Sequence, residues 1–453
     1  MNAPLILINA VGLTPRLLPF ASRLQALARG GWSRPLREVL PAVTCTAQAT
    51  ILTGQPPAVH GIVGNGWLFR DTGEVRFWQQ SNRLIQAEPL YATARKRLGA
   101  AFRCAKLFWW YNQGADVAIS VTPKPYYGSD GNKAFGITGT PEGLADTLEK
   151  QLGPFPFPSF WGPMAGPACT RWIARCAAEV VQAERANLTL VYLPHLDYDP
   201  QRHGPSGCDM PRLVKELDDA CEPLLDAAKK VGAVVWVVSE YGHLDVKEAL
   251  YPNRLLRKAG LLTVRDGPFG EVLDTFNSRA FAVCDHQLAH IYVRESSDLG
   301  RVREALSPCG RIATPAAVDL HHERSGELIL LALPDSWFAY PYWLDERRAP
   351  DFARTVDIHR KPGYDPCELF FDPQLWWPKG RAAWRLMQKK LGFRTLFDVV
   401  PLDASLVRGS HGIHAPDPLD RPLLIGHGVA PEPDTLEMTE VHGLLLAALA
   451  PAG

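Results

Sequence analysis

The chain has 453 residues, and its 48 lysine and arginine residues are balanced by 48 aspartate and glutamate residues. A formal net charge of zero gives no general attraction to anionic surfaces, so we expect neither a nucleic acid polymer nor a membrane as a partner. The nine cysteines include no Cys-x-x-Cys pair, which argues against a disulfide framework and against a thiolate zinc site.

The chain opens with a strand, a loop and a helix. Residues 5–8 are a short apolar run that breaks at Asn9, as a strand buried on both faces does. Apolar residues at helical spacing follow from Thr14 to residue 28. Residues 1–4 contain no basic region or cleavage site, so we expect a cytoplasmic protein without a signal peptide.

Residues 41–66 form the segment that carries Thr44. A helix-like run at residues 46–52 follows this threonine and ends near Gly54. The free N–H groups and the positive dipole end of a helix favour an anion, whether a phosphoryl group or an alkoxide forming at Thr44. The other interpretation is that Thr44 is only a helix N-cap. The segment alone leaves both interpretations open.

Two further buried strands are predicted, and each is followed by ionisable residues. Residues 188–193 lead to Asp197, and residues 233–238 lead to Glu240. Because helical patterns lie between these apolar runs, the sequence predicts an α/β fold with a largely parallel central sheet flanked by helices. Ligands bind at the carboxyl ends of the strands in such sheets, so Asn9, Asp197 and Glu240 should converge.

The alternation of strands and helices weakens after residue 261. We therefore predict an inserted smaller cap domain at residues 262–395, and an α/β core formed by residues 1–261 and 396–453. The core resumes with a strand at residues 422–426 and a helix at residues 441–450.

Three motifs make the segment around Thr44 recognisable: PAVT at residues 41–44, LTG at 52–54 and PAVHGIVGN at 57–65. Together they resemble the nucleophile segment of the nucleotide pyrophosphatase/phosphodiesterases of the alkaline phosphatase superfamily. The resemblance implies an alkaline phosphatase-like core in which two divalent metal ions, usually zinc, lie about 4 Å apart and flank a phosphoryl transfer. It places Thr44 at the position of the nucleophile. It continues in family order at residues 5–12, 197–205, 239–242, 409–412 and 425–428.

The chain departs from this family pattern at several positions. Val11 stands where the family has an aspartate, and Gln201 stands where it has a histidine. The family's Asp-His-Gly motif is replaced by Glu240-Tyr241-Gly242, and Ala47 stands where the phosphate pocket has an asparagine. The resemblance therefore implies a metal centre in which one ion is absent or differently held.

The predicted catalytic residue is Thr44. The predicted metal ligands are Asp197, Glu240 and His411, with help from Asp357 and His359 of the insert. Residues 357–365 mix a carboxylate, an imidazole and two fixed positive charges, which suits a phosphate or metal site, although a solvated charged turn is the alternative. We expect no role in the site for His195 or His243. Further candidates for metal or phosphate binding are Asn9, Gln201, His203, Asp285, His286, Arg360 and Lys361.

The sequence thus predicts a cytoplasmic, metal-dependent phosphoesterase of the phosphodiesterase or nucleotide pyrophosphatase type that acts on a small phosphate ester. One or two divalent cations are expected per chain, with zinc preferred and manganese or magnesium as alternatives. Two other functions stay open. The replaced ligands also fit a non-catalytic metabolite-binding or carrier protein on the same fold, and the motifs do not exclude a phosphomutase-like or phosphonate-cleaving relative.

Overall fold

The computed structural model of the protein describes residues 3–129, 133–391, 393 and 395–450. The strands, in chain order, are β1 (Leu5–Ala10), β2 (Trp32–Arg37), β3 (Gly66–Phe69), β4 (Glu74–Phe77), β5 (Cys104–Leu107), β6 (Ile119–Tyr127), β7 (Lys133–Thr140), β8 (Leu188–Leu193), β9 (Val234–Val238), β10 (Leu244–Asp245), β11 (Glu248–Leu250), β12 (Val264–Gly267), β13 (Gly270–Leu273), β14 (Ala280–Asp285), β15 (Leu288–Val293), β16 (Arg311–Ala313), β17 (Leu328–Leu331), β18 (Ser336–Phe338), β19 (Gly409–Ser410), β20 (Leu423–Gly426) and β21 (Leu436–Glu437). The α-helices are α1 (Ser22–Gly30), α2 (Thr44–Thr53), α3 (Pro57–His60), α4 (Leu90–Leu98), α5 (Leu144–Leu152), α6 (Pro167–Glu184), α7 (Tyr198–His203), α8 (Met210–Val231), α9 (Pro252–Lys258), α10 (Leu299–Leu306), α11 (Pro378–Lys390) and α12 (Glu440–Leu449).

A nine-stranded sheet forms the centre of the fold, with the strand order β21-β2-β20-β9-β1-β8-β5-β6-β7. Its middle strands β9, β1, β8, β5 and β6 run parallel to one another. An antiparallel strand lies on each side of this parallel group. Strand β7 forms a hairpin with β6, and β20 lies between β9 and β2. The predicted α/β fold with a large central sheet is confirmed, and the sheet is parallel in its middle and mixed towards its edges.

Helices cover both faces of this sheet because the parallel strands are apolar on both sides. In β1, Ile6 and Ile8 belong to a core shared with α6 and α8. The alternate residues Leu5 and Leu7 belong to a second core shared with α2 and α12. This alternation fixes the register of β1, since a shift by one residue would exchange the two faces.

A second sheet lies within residues 262–395. Its four antiparallel strands have the order β14-β15-β17-β16 and pack on a core that also includes Phe77, Leu256 and Leu261 from the preceding part of the chain. Strand β18 from the same range pairs with β11, which precedes residue 261, so the range is joined to the rest of the chain by backbone hydrogen bonds. In the part of the chain that the structure describes, none of the helices combines the length and the apolar character needed to cross a bilayer.

Candidate active site

The parallel strands deliver three of the predicted site residues to one edge of the sheet. Asn9 lies near the end of β1, where it is in register with Val238 of β9. Asp197 follows β8 in a short 3-10 turn, and Glu240 is the second residue after β9. All three side chains are buried. The expected convergence at the carboxyl ends of the strands is therefore seen in the structure.

Thr44 is the first residue of α2, at the same edge. Val43, with extended backbone angles, is the N-cap residue, so Thr44 does not occupy the capping position. The Oγ1 atom of Thr44 lies 2.9 Å from the hydroxyl oxygen of Tyr241. The first N–H groups of a helix have no intrahelical partners and attract anions, so the hydroxyl of Thr44 stands where a phosphoryl group would be favoured.

Asp197, His243 and His411 form a compact group of three potential metal ligands. One ligand atom from each residue lies within 4.8 Å of those from the other two. The Nε2 atoms of His243 and His411 lie 3.0 Å and 3.5 Å from Oδ1 of Asp197. Burial opposes ionisation of Asp197, but the hydrogen bond with His243 and the proximity of the His411 imidazole outweigh it and hold the pKa of this carboxyl well below its usual value.

The donor atoms of this group fit a cation. The carbonyl of Ala42 lies 2.7 Å from Nδ1 of His411 and can only accept, so Nδ1 carries the proton. Burial lowers the pKa of His411, and its neutral ring then presents the Nε2 lone pair to the carboxylate of Asp197. Nε2 has no hydrogen-bond partner among the described residues. Two acceptors that face each other are stabilised by a cation between them, and a carbonyl-oriented imidazole is the usual arrangement of a metal-binding histidine.

Gly12 gives His243 the room to reach this group. Its φ angle of 77° lies in the left-handed region, and a Cβ atom at this position would stand 3.2 Å from Cε1 of His243. A larger residue would therefore press on the imidazole as well as strain the loop after β1.

Glu240 lies outside the group of three ligands and is held by amides. Its Oε1 atom accepts hydrogen bonds from Nδ2 of Asn9 at 2.5 Å and from Nε2 of Gln48 at 2.7 Å. Burial raises the pKa of Glu240 to about 8, although the hydrogen bonds from Gln48 and Asn9 oppose this shift. Because Gln48 lies one helical turn after Thr44 on α2, its hydrogen bond holds the carboxyl of Glu240 on the side of α2 that carries the predicted nucleophile.

Asp285 supports the helix that carries Thr44. Its carboxylate accepts hydrogen bonds from the backbone N–H of Asn65 at 2.7 Å and from Nδ2 of the same residue at 3.0 Å. The side-chain oxygen of Asn65 in turn accepts from the backbone N–H of Cys45, the second residue of α2. Burial raises the pKa of Asp285 to about 7. These contacts give Asp285 a positioning role in the structure.

A stack of aromatic rings covers the imidazole of His411. The ring of Tyr241 lies parallel to it with the centroids 3.6 Å apart, and the ring of His286 lies on it at 3.7 Å. Tyr364 stacks on His286 at 3.8 Å and donates a hydrogen bond to Oε1 of Gln201 at 2.7 Å. His286 and Gln201 therefore belong to the surroundings of the ligand group.

The structure gives the remaining candidates no place beside the three ligands. Asp357 pairs with Lys133 at 3.2 Å and with Arg360 at 3.3 Å, and His359 is exposed. Lys361 is buried because Asp365 and Glu368 each lie 2.7 Å from its Nζ atom. The charged side chains of Asp357, Arg360 and Lys361 are thus paired with other residues of the range 357–368 or with Lys133. His203 is exposed at the end of α7.

The sequence does not lead us to four residues of this site, and the sequence signals for these residues differ in strength. His243 follows Glu240 by three residues in one loop, and this spacing is the signal that could have found it. Gln48 lies one helical turn after Thr44 and so shares its face of α2. The roles of Tyr241 and Asn65 depend on partners far away in the chain, which no local pattern gives.

Comparisons with known proteins agree with this geometry. The family model described as type I phosphodiesterase / nucleotide pyrophosphatase matches residues 5–365. No curated protein matches the chain. A solved structure of phosphonoacetate hydrolase from Sinorhizobium meliloti 1021 with phosphonoformate is similar, with 15% identity, a TM-score of 0.63 and coverage of 99% of this chain and 96% of that chain. Murine ectonucleotide pyrophosphatase / phosphodiesterase 5, in an inactive form with AMP, has 14% identity, a TM-score of 0.59 and coverage of 100% and 97%.

At these identities the solved structures show a shared fold, while the family model shows the family because it matches most of the chain. The predicted family and the predicted enzyme class, a hydrolase acting on phosphoester bonds, are thereby confirmed. The chain belongs to the type I phosphodiesterase/nucleotide pyrophosphatase family of the alkaline phosphatase superfamily.

Proposed function

We propose that this protein hydrolyses a small phosphodiester, with Thr44 as the nucleophile and one divalent cation held by Asp197, His243 and His411. The observation that carries this proposal is a short chain of contacts from nucleophile to ligand. Oγ1 of Thr44 lies 2.9 Å from the hydroxyl oxygen of Tyr241, which lies 3.3 Å from Oδ1 of Asp197. The hydroxyl that would attack phosphorus is thus one side chain away from the group that fits a cation.

We propose zinc as the cation, because two imidazoles and one carboxylate are a common ligand set of catalytic zinc, with manganese and magnesium as the alternatives. When bound, such an ion stabilises negative charge on phosphoryl oxygens and makes a nearby oxygen nucleophile easier to deprotonate. The group of three ligands provides one such position, while Glu240 lies outside it and contacts Asn9 and Gln48 through Oε1.

Three groups of the protein carry out the remaining steps of the reaction. Oγ1 of Thr44 attacks phosphorus, the bond to one ester oxygen breaks and its alcohol leaves, and water later releases the remaining phosphate monoester from the threonine. Glu240 accepts the proton of Thr44, because Gln48 holds its carboxyl on the same side of α2 and a raised pKa suits a base that works near neutral pH. The N-terminus of α2 faces the phosphoryl oxygens and stabilises their charge.

Turnover of bis-p-nitrophenyl phosphate tests the nucleophile. With zinc, manganese or magnesium present, Thr44→Ala should reduce the rate by about a thousandfold or more. Thr46→Ala is the matched control, because it removes a buried hydroxyl from the same turn of α2 and should leave most of the activity. Activity that survives Thr44→Ala would exclude this mechanism.

Metal analysis of the purified protein tests the ligands and separates the enzyme from a non-catalytic binding protein. Asp197→Ala and His411→Ala should lose bound zinc, whereas His203→Ala removes an exposed histidine and should keep it. A protein that binds none of the three metals and turns over no phosphodiester would be a carrier on this fold.

A phosphonate-cleaving activity is the second candidate, supported by the similarity to phosphonoacetate hydrolase structures that hold phosphonoformate or phosphonoacetate. Phosphonoacetate should therefore be assayed beside the phosphodiester. We also propose that residues 262–395 act as a substrate-side cap, because the turn between β14 and β15 places His286 against His411. A cytoplasmic location stays a prediction.

A further inference from the structure

One surface segment concentrates positive charge in a chain whose charges otherwise cancel. Residues 373–391, which we call the tryptophan segment, contain no aspartate or glutamate. Helix α11 runs through the segment, and Trp376 and Trp377 directly precede it. Its basic residues are Lys379, Arg381, Arg385, Lys389 and Lys390.

The inner side of α11 is anchored to the protein. Ala382 is buried in a small core that also contains Trp337 and Val399. Arg381 and Arg385 both pair with Asp398, beyond the tryptophan segment. The helix is therefore fixed on the surface with one face turned inwards.

The outer side of α11 is apolar and faces solvent. Trp384, Met387 and Leu391 follow one another at helical spacing, and all three are exposed. Trp376 is 99% exposed and Trp377 is 68% exposed. The ring of Trp377 lies over Gly380, where a Cβ atom would come within 2.1 Å of it. Soluble proteins rarely leave a contiguous group of large apolar side chains uncovered without a partner.

We propose that the tryptophan segment binds the surface of a membrane that contains anionic lipids, with α11 lying in the plane of the interface. A helix with basic residues and exposed tryptophan fits this environment, since the indoles settle at the level of the headgroups and the cations meet anionic lipids. At 13 residues α11 is too short to span a bilayer. The expectation of no membrane partner rests on the net charge of the whole chain, which conceals this local excess.

Charge also argues against the simplest competing occupant, a second copy of this chain. In a two-fold contact the same patch occurs on both subunits, so two segments with an excess of basic residues and no acidic residue would be brought together. An anionic bilayer offers the opposite sign together with an apolar layer for the tryptophans. The lipid surface is therefore the occupant that satisfies both properties.

Vesicle flotation with the full chain tests the proposal. The protein should float with vesicles of phosphatidylcholine mixed with phosphatidylglycerol, bind much less to phosphatidylcholine alone, and dissociate as salt is raised. The double variant Trp376→Ser/Trp384→Ser should weaken binding by about tenfold or more. Lys379→Gln should weaken it by about fivefold, because it removes one cation from the interface.

Phe269→Ser is the matched control. This aromatic is 70% exposed but lies in the β12–β13 hairpin beside Asp266 and Glu271, so its loss should leave flotation unchanged. Unchanged circular dichroism and phosphodiester turnover would show that the tryptophan variants are folded.

Three results would overturn the proposal. The first is wild-type protein that floats with neither kind of vesicle. The second is equal binding to both kinds of vesicle. The third is a dimer, seen in light scattering of the wild type, that the double variant does not form. The last result would identify a second copy as the occupant.

Discussion

At the scale of single residues, two buried carboxyl groups near Thr44 have opposite protonation behaviour. Asp197 faces two imidazoles, which hold its pKa low in spite of burial. Glu240 faces only neutral amides, and burial raises its pKa to about 8. The negative charge of the site is therefore localised on Asp197, while Glu240 can take up a proton near neutral pH.

The raised pKa of Glu240 predicts a pH-dependent cost in stability. The unfolded chain ionises this carboxyl near the ordinary glutamate pKa of 4.5 and the folded protein only near 8, so the folded state binds the extra proton between these values. The free energy of unfolding should consequently fall as the pH rises through this window, at about 1.4 kcal/mol per pH unit for a full proton.

Glu240→Gln removes this contribution while Oε1 keeps its two amide donors. Denaturant unfolding of the metal-free protein at about pH 5 and about pH 8 should show the variant gaining stability relative to the wild type by a few kcal/mol at the higher pH. Asp285, whose pKa is also raised, leaves a residual slope in both proteins. An identical pH dependence for the two proteins would contradict the assignment.

At the scale of elements, α2 is oriented by residues from outside its own sequence. Asn65 accepts a hydrogen bond from the second N–H of α2, and Asp285 at the end of β14 fixes the backbone and side chain of Asn65. The position of Thr44 thus depends on contacts that join residues 44 and 45 to a strand more than 200 residues later.

Asn65→Ala should therefore destabilise the protein by about 2–4 kcal/mol, because it removes the partner of Cys45 and leaves the buried carboxylate of Asp285 with one donor fewer. Asn277→Ala is the control: it removes an exposed amide that also donates to an aspartate, and it should cost less than about 1 kcal/mol. The measurement is chemical denaturation at fixed pH. Equal losses in the two variants would show that the buried contacts of Asn65 have no special weight.

The elements that the sequence predicts well are those encoded by local patterns. Apolar runs identify β1, β8 and β9, and parallel-sheet geometry then places Asn9, Asp197 and Glu240 together. The position of the antiparallel strand β20 between β9 and β2 does not follow from such patterns, because its pairing partners are distant in sequence.

The three potential metal ligands likewise include residues that sequence motifs identify and one whose place depends on the fold. Asp197 and His411 come from family motifs, whereas the sequence shows only that His243 lies three residues after Glu240, and the folding of the loop after β9 against the loop after β8 brings it to Asp197. The dense charges at residues 357–365 form ion pairs among themselves and with neighbouring residues, and sequence density alone does not distinguish such pairing from a metal site.

At the scale of the whole molecule, the candidate site joins segments from both ends of the chain and from its middle. Tyr241 comes from the loop after β9, and His411 precedes β20. His286 and Tyr364 come from the range predicted as the insert. The stack of their four rings gives the two parts of the molecule a common packing surface. Rigidity at the ligand group should therefore depend on the contact between core and insert.

This arrangement predicts that a cation stabilises the fold as a whole. Asp197, His243 and His411 lie in separate loops, so an ion that binds all three links segments which separate on unfolding. Zinc at about a hundred times its dissociation constant should add about 2.7 kcal/mol to the free energy of unfolding and raise the melting temperature by a few degrees. A chelator should reverse the shift, as followed by thermal denaturation of the dialysed protein.

Two histidine variants distinguish stabilisation by zinc at the group of three ligands from stabilisation by non-specific zinc binding. His411→Ala should melt at the same temperature with and without zinc, whereas His203→Ala should keep the full shift because its imidazole is exposed and outside the group. Hydrogen exchange should locate the effect, with zinc protecting the loops after β8 and β9 and leaving α11 unchanged. A zinc-induced shift that persists in His411→Ala would place the ion elsewhere, and the three loops would then be held by protein contacts alone.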